Sequence, residues 1–162
     1  MLIYTKEQHI EFLKKSILVP IRKTLDEDQT LFGFILMGQA IEILGAYLDS
    51  KPLRAKQQSS KRFELAIYKL FPDKYSMVNK NNFLYYQLRT CLIHMFIPTE
   101  KISLNKGRAD NENSHLSFKE DILAFYSENF YEDMENAITK LIRMINSDKI
   151  KLKRISAGEI NN

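Results

Sequence analysis

An arginine and a histidine separated by four residues are the strongest candidates for chemistry in this sequence. Arg89 and His94 lie in the segment LRTCLIH. A histidine can take a proton from a 2′-hydroxyl of RNA or give one to the leaving oxygen, and an arginine can stabilise the pentacoordinate phosphate. The 2′-hydroxyl would be the nucleophile, so such chemistry needs no metal. The alternatives are a histidine that bonds the last carbonyls of its helix and an arginine in a structural salt bridge.

Other kinds of site find no support in the residue pattern. The five glycines do not match the spacing of either phosphate-binding loop, and one cysteine with three well-separated histidines does not form a zinc set. Cys91 lies in an apolar stretch, where a packed thiol is the usual role. We therefore expect neither a metal nor a cofactor.

The composition indicates a soluble, mostly helical domain. The chain has 162 residues, 44% of them hydrophobic, and its few glycines favour helices. The single cysteine fits a reducing compartment, and no secretory signal is visible. The longest apolar stretch, residues 31–43, is interrupted by Gln39 and Glu42 and reaches about half of a membrane span. We expect a cytoplasmic protein without a membrane segment.

Helix signals begin near the N-terminus. A capping box formed by Thr5 and Gln8 starts the first helix, which Pro20 should kink or end. A second helix, from about Gln29 to Leu48, is apolar on nearly all sides and should be central. Its three glycines cost helix propensity, which suggests close approach of a neighbouring backbone.

The remaining elements follow from the same periodicities. Ser59 or Ser60 should cap a third helix that ends near Phe71, and a fourth helix should run from about Asn81 to His94. The last helix should start near Ser127 and turn six residues inward: Phe130, Met134, Ala137, Ile138, Leu141 and Ile145.

Residues 101–105 and 115–118 alternate apolar and polar side chains around a polar loop, which predicts a β-hairpin, and a third short strand is possible at residues 122–126. The predicted fold is mainly α, a four- to five-helix up-and-down bundle with a small β-hairpin before the last helix. Residues 1–147 form the domain, and residues 148–162 form a basic, flexible tail.

Helix geometry constrains the candidate pair. Five residues along an α-helix turn through about 500°, which leaves Arg89 and His94 about 140° apart around the axis. They could act together if Arg89 wraps around the helix, if the helix frays near His94, or if a second subunit completes the site.

The setting of this pair resembles the HEPN superfamily. Arg89 and His94 look like its RX4-6H motif, near the end of a late helix in an all-α bundle, and GQAIEILGAYLD is similar to the second helix of some bacterial HEPN-like proteins. The resemblance implies a homodimer that brings two motif helices together across a cleft. It also implies a metal-independent endoribonuclease of toxin or defence type, or a non-catalytic member that binds RNA or partners an antitoxin or a nucleotidyltransferase.

Several residues would support such a site. Active HEPN members usually carry Asn, Asp or His after the arginine, whereas this chain has Thr90, which favours the non-catalytic, dimeric alternative. Glu42, a lone carboxylate in an apolar helix, is expected either to pair with Arg89 or to meet solvent at the bundle edge.

Aromatic and basic residues could contact RNA. Tyr85 and Tyr86 could stack bases, although tyrosines at this spacing are more often core, and with Phe83 they could form a dimer surface. The loop containing Arg54 and Lys56 is a candidate backbone contact or an ordinary solvated surface. The net charge of +4 permits nucleic-acid binding without demanding it.

Overall fold

Helices dominate the structure, and short strands accompany them. A computed structural model describes residues 2–111 and 114–156. The helical segments are α1 (Lys6–Glu11), the π-helix π1 (Phe12–Leu18), α2 (Val19–Asp26), α3 (Thr30–Leu48), α4 (Ser59–Leu70), α5 (Asp73–Val78), a 3₁₀ turn (Lys80–Asn82), the π-helix π2 (Tyr85–Cys91), α6 (Leu92–Met95) and α7 (Ser127–Asn146). The strands are β1 (Leu2–Ile3), β2 (Ile102–Asn105), β3 (Ser117–Lys119), β4 (Ile122–Tyr126) and β5 (Ile155–Ser156). The prediction of a mainly α protein is confirmed.

The first helix begins where the capping box predicts and runs on past the proline. The hydroxyl of Thr5 accepts from the backbone N–H of Gln8, whose side chain in turn accepts from the backbone N–H of Thr5. Pro20 does not end the helix, because α1, π1 and α2 are continuous. The π-turn shifts the hydrogen-bond ladder just before the proline, which has no N–H to give.

Helix α3 is the centre of the fold, and two of its glycines allow neighbouring backbones to touch it. A Cβ on Gly45 would lie 1.8 Å from the carbonyl oxygen of Arg62 in α4, and one on Gly38 would lie 2.6 Å from that of Leu88 in π2. Gly33 faces only the side chain of Leu25. Close backbone approach is therefore confirmed at two of the three predicted glycines.

Helix α3 spans Thr30–Leu48, close to the predicted Gln29–Leu48. Its 19 residues are long and apolar enough to cross a membrane by length and composition, which the interrupted stretch of residues 31–43 did not indicate. More than half of the apolar window is buried inside the fold. Length and composition alone do not distinguish such a core helix from a membrane span.

The helix that carries the candidate pair begins later than predicted. Asn81 and Asn82 have φ of +53° and +59°, which a helix cannot accommodate, so the helical ladder starts at Phe83. The side chain of Asn79 accepts a hydrogen bond from the backbone N–H of Leu84 at 2.9 Å and satisfies this helix start. Helix α5 was not predicted, because Pro72 ends α4 and also suits the first turn of a new short helix.

The last helix follows its hydrophobic periodicity. Helix α7 begins at Ser127, as expected, and all six residues predicted to face inward are buried. They complete the core that surrounds α3.

The sheet corrects the predicted strand pairing. Strand β2 pairs with β4 in parallel, while β3 pairs with β4 antiparallel, so the central strand is the one predicted only as a possible third. The two-residue turn between β3 and β4 has positive φ at Glu120 and Asp121, as tight hairpins require. Alternation of side chains predicts which residues form strands but does not select the partner strand, and this is why the predicted β2–β3 hairpin is wrong.

The described part of the predicted tail is held by contacts. Strand β5 pairs with β1, and Ile155 is buried. The ammonium of Lys153 lies 2.5 Å from Asp49 and also contacts the carbonyl oxygen of Ala46. Residues 157–162 lie outside the described part of the chain.

His9 and His115, the two histidines outside the candidate pair, are buried. His9 hydrogen-bonds the hydroxyl of Tyr47 through Nδ1 at 2.9 Å. His115 accepts from the backbone N–H of Tyr126 and, through Nε2, hydrogen-bonds the hydroxyl of Tyr75, which donates to Asp133. Since Nδ1 of His115 is an acceptor, the neutral ring carries its proton on Nε2.

We expect folding stability to fall as the pH drops from about 6.5 to about 3. Burial, and secondarily Lys74, lowers the pKa of His115 from 6.5 to about 3, and burial also lowers the pKa of His9. Between these pH values His115 is protonated in the unfolded chain but stays neutral in the folded one. Its contribution to the free energy of unfolding is therefore complete above pH 6.5 and is lost progressively below it. Urea unfolding at several pH values across this range would measure how the free energy of unfolding depends on pH. His115→Gln should weaken this dependence, and an unchanged dependence would contradict its assignment to His115.

Replacing Gly45 with alanine should strongly destabilise the fold. The new Cβ would overlap a backbone carbonyl of α4 that cannot move alone, so we expect a loss of about 3 kcal/mol or more in unfolding free energy. Gly33→Ala is the matched control, since its Cβ meets only the flexible side chain of Leu25. Chemical denaturation should give a clearly smaller loss of unfolding free energy for the control. Equal losses would show that the close backbone contact between α3 and α4 does not require glycine at position 45.

Candidate functional site

The expected pairing of Glu42 with Arg89 is present. Nε of Arg89 donates to Oε2 of Glu42 at 2.7 Å, across the packed surface between α3 and π2. The side chains are 17% and 21% exposed, so the pair lies at the margin of the core with one edge open to solvent. The open alternative, in which Glu42 meets only solvent, is wrong.

Ser59 is a third member of this cluster that the sequence did not reveal. Its hydroxyl donates to the other carboxylate oxygen of Glu42, Oε1, at 2.8 Å. Sequence reasoning made Ser59 or Ser60 a helix cap, but Gln58 holds the capping position and no side chain caps α4. The close approach of α3 and α4 at Gly45 brings the first turn of α4 within reach of Glu42.

Arg89 differs from Arg22 and Arg62 in how many of its guanidinium nitrogens donate hydrogen bonds. Arg62 donates from Nε and both Nη atoms to Asp49 and to two backbone carbonyls. Arg22 likewise donates from all three nitrogens, to Asp26 and Glu128. Within residues 2–111 and 114–156, Arg89 donates only from Nε, to Glu42. Its two Nη groups keep the fork geometry that binds phosphate oxygens.

The helix that carries Arg89 is wider than an α-helix. Residues Tyr85–Cys91 form π2, and the α-helical ladder resumes only at Leu92. A π-helix bonds residues five apart, so it takes about one more residue per turn than an α-helix. The angle between Arg89 and His94 is therefore smaller than the 140° expected for a regular α-helix. Wide turns of this kind are frequent at functional sites.

His94 stands at the end of α6 with its side chain exposed. No hydrogen bond to either ring nitrogen occurs within the described residues, so the bond to a helix-end carbonyl that we considered from the sequence is absent there. Both nitrogens are accessible to a ligand. Phe96 follows in a left-handed conformation, with φ of +55°, and ends the helix.

The two tyrosines proposed for RNA contact occupy different environments. Tyr85 is half-buried and packs edge-to-face on Phe63 of α4, with ring centroids 5.6 Å apart. Tyr86 is 56% exposed. Thr90 is half-buried, and its hydroxyl forms no hydrogen bond in the described part of the chain. Of these three residues, Tyr86 is the one placed to meet a ligand.

Among the described residues, no hydrogen bond or ion pair joins the side chains of Arg54 and Lys56 to Glu42, Ser59 or Arg89. Arg54 donates to the carbonyl oxygen of Ser156, so it helps to hold strand β5. Lys56 is exposed, and its carbonyl accepts from the side chain of Gln58.

An exposed apolar patch borders the motif helix, and sequence reasoning did not identify it. It consists of Phe32, Leu36, Met95, Phe96 and Ile97, and each is more than a third exposed. The rings of Phe32 and Phe96 lie 6.1 Å apart, which joins the α3 and α6 parts of the patch. Phe83, predicted with Tyr85 and Tyr86 for a dimer surface, is half-buried, and its ring centroid lies 6.4 Å from that of Phe118.

Comparisons with known proteins give no relative for this chain: no family model, no curated protein and no solved structure matches it.

The contrast between two arginines gives a test of their roles. Arg62 is buried and fully bonded, so Arg62→Ala should cost about 3 kcal/mol or more in unfolding free energy and leave Asp49 short of a partner. Arg89→Ala should cost about 2 kcal/mol, since one charge-assisted hydrogen bond at the margin of the core is lost while Ser59 still bonds the other oxygen of Glu42. Denaturation of both variants at pH 7 would measure the difference. A larger loss for Arg89 would mean that this arginine is mainly structural.

Proposed function

We propose that this chain is a HEPN-like, RNA-directed protein, an up-and-down helical bundle whose site contains Arg89 and His94. The observation that carries the proposal is the half-used guanidinium of Arg89: Glu42 holds its Nε, and both Nη groups remain available. An arginine held from one side presents its other edge with little loss of side-chain entropy on binding. Phosphate is the ligand that best fits such an edge.

The proposed reaction is metal-independent cleavage of RNA. His94 takes the proton of a 2′-hydroxyl, whose oxygen then attacks the adjacent phosphorus, and the bond from phosphorus to the 5′-oxygen breaks. A protonated histidine gives the leaving oxygen its proton, which leaves a 2′,3′-cyclic phosphate and a 5′-hydroxyl end. Arg89 stabilises the negative charge that develops on the non-bridging oxygens. Tyr86 offers a surface on which a flanking base can stack.

A homodimer is part of this proposal. The exposed apolar patch lies beside the motif helix, and burying it against a second copy removes apolar surface from water. Two motif helices would then face a common cleft, and each subunit would supply one Arg89 and one His94. Such a cytoplasmic ribonuclease would act in toxin or defence systems, with an antitoxin or a nucleotidyltransferase as partner.

A second function is favoured by two observations at the site. Thr90 stands where active HEPN members carry Asn, Asp or His, and no group in the described part of the chain orients the ring of His94. A general base is usually held by a third residue. A non-catalytic dimeric module would use the same fork of Arg89 to hold RNA, or the same apolar patch to hold a protein partner.

RNA cleavage by the purified protein in EDTA separates the two functions. We expect wild type to cut a single-stranded RNA, and Arg89→Ala and His94→Ala to reduce the rate by about 100-fold or more each. Arg143→Ala is a matched control, since Arg143 is exposed on α7 and far along the chain from the motif. It should cut like wild type.

Product ends and binding complete this test. Cleavage should leave 2′,3′-cyclic phosphates, detected by mass spectrometry of the fragments. Intact RNA with all four proteins, together with binding that Arg89→Ala weakens, would establish the non-catalytic module instead. If the protein neither cuts nor binds RNA, an RNA-directed function is overturned.

A further inference from the structure

We propose that Ser59 is a positioning residue for Arg89 and acts through Glu42. This inference rests on the proposed function for the meaning of Arg89, but the contact itself is independent of it. The chain of contacts runs from the hydroxyl of Ser59 to Oε1 of Glu42 at 2.8 Å, and from Oε2 of Glu42 to Nε of Arg89 at 2.7 Å.

The hydroxyl of Ser59 is free for this task because it does not cap its own helix. Serine at a helix start commonly satisfies a backbone N–H of the first turn. Here Gln58 is the capping residue, its side chain makes no capping hydrogen bond to α4, and Ser59 is the first residue of the helix. Its hydroxyl points across to α3 instead, so the serine is used between helices.

Glu42 needs both partners to have a fixed orientation. A carboxylate held through one oxygen can rotate about its terminal torsion, which is broad and shallow. With Ser59 on one oxygen and Arg89 on the other, the plane of the carboxylate is set by two bonds from two different elements. The direction in which the guanidinium leaves Glu42 is therefore fixed as well.

The backbone supports the same arrangement. Gly45 lies one turn after Glu42 in α3 and meets the backbone of α4, while Gly38 lies one turn before it and meets the backbone of π2. Glu42 thus sits between two close approaches, each of which leads to one of its partners. Little movement of α4 relative to π2 is possible without breaking one of the two hydrogen bonds.

The sequence offers a matched control for Ser59 in the adjacent Ser60. Both serines are half-buried and lie in the first turn of α4, yet the hydroxyl of Ser60 forms no hydrogen bond in the described part of the chain. Ser59→Ala and Ser60→Ala therefore remove the same atom from neighbouring positions. Ser59→Thr keeps the hydroxyl and serves as the rescue variant.

The first readout does not depend on RNA. The Nε–H of Arg89 should give a distinct proton–nitrogen NMR signal in wild type, because its bond to Glu42 slows exchange with water. Ser59→Ala should increase that exchange rate by roughly 10-fold, as loss of an orienting partner typically weakens a site by this much or more. Ser60→Ala and Ser59→Thr should resemble wild type.

The second readout is RNA cleavage. Ser59→Ala should lower kcat by roughly 10-fold with little change in KM, because a misaligned arginine loses contacts made in the transition state. If wild type cuts no RNA, the cleavage proposal fails, and the NMR arm alone decides the role of Ser59. The inference is overturned if Ser59→Ala and Ser60→Ala show the same Nε–H exchange as wild type.

Discussion

The close approach of α3 to two neighbouring backbones is the constraint on which the rest of the structure depends. Gly45 and Gly38 let α4 and π2 come so near that any side chain there would overlap a carbonyl oxygen. Glu42 lies between these two contacts, and its carboxylate reaches a donor on each side. A polar pair at the margin of an apolar core is stable because both oxygens are bonded. The same contacts therefore set both the packing of α3 and the geometry of the site around Glu42.

Local signals in the sequence predicted most of the helices, but they did not predict which strands pair. The capping box at Thr5, the apolar length of α3 and the periodicity of α7 are properties of short windows, and each is present in the structure. The partner of β2 is not such a property, since alternation marks a strand without naming its neighbour. The π-turns escaped for a related reason: each depends on how the helix packs, and no residue type specifies it.

Part of the site was predictable from the cost of burying a charge without a partner. A lone carboxylate in an apolar helix requires a partner, which pointed from Glu42 to Arg89. Ser59 could not be found this way, because a serine at a helix start has an adequate local explanation as a cap. The buried His115 was also missed, since its hydrogen bonds to Tyr75 and Tyr126 join parts of the chain that are distant in sequence.

The π-turn at residues 85–91 can also be regarded as a one-residue insertion that the helix absorbs locally. A wide turn accommodates about one residue more than a regular helix covering the same angle. Deleting a single residue from this turn would restore the α ladder and leave His94 and Phe96 close to their present positions around the axis. The wide turn therefore separates the length of this segment from what the helix end presents to solvent.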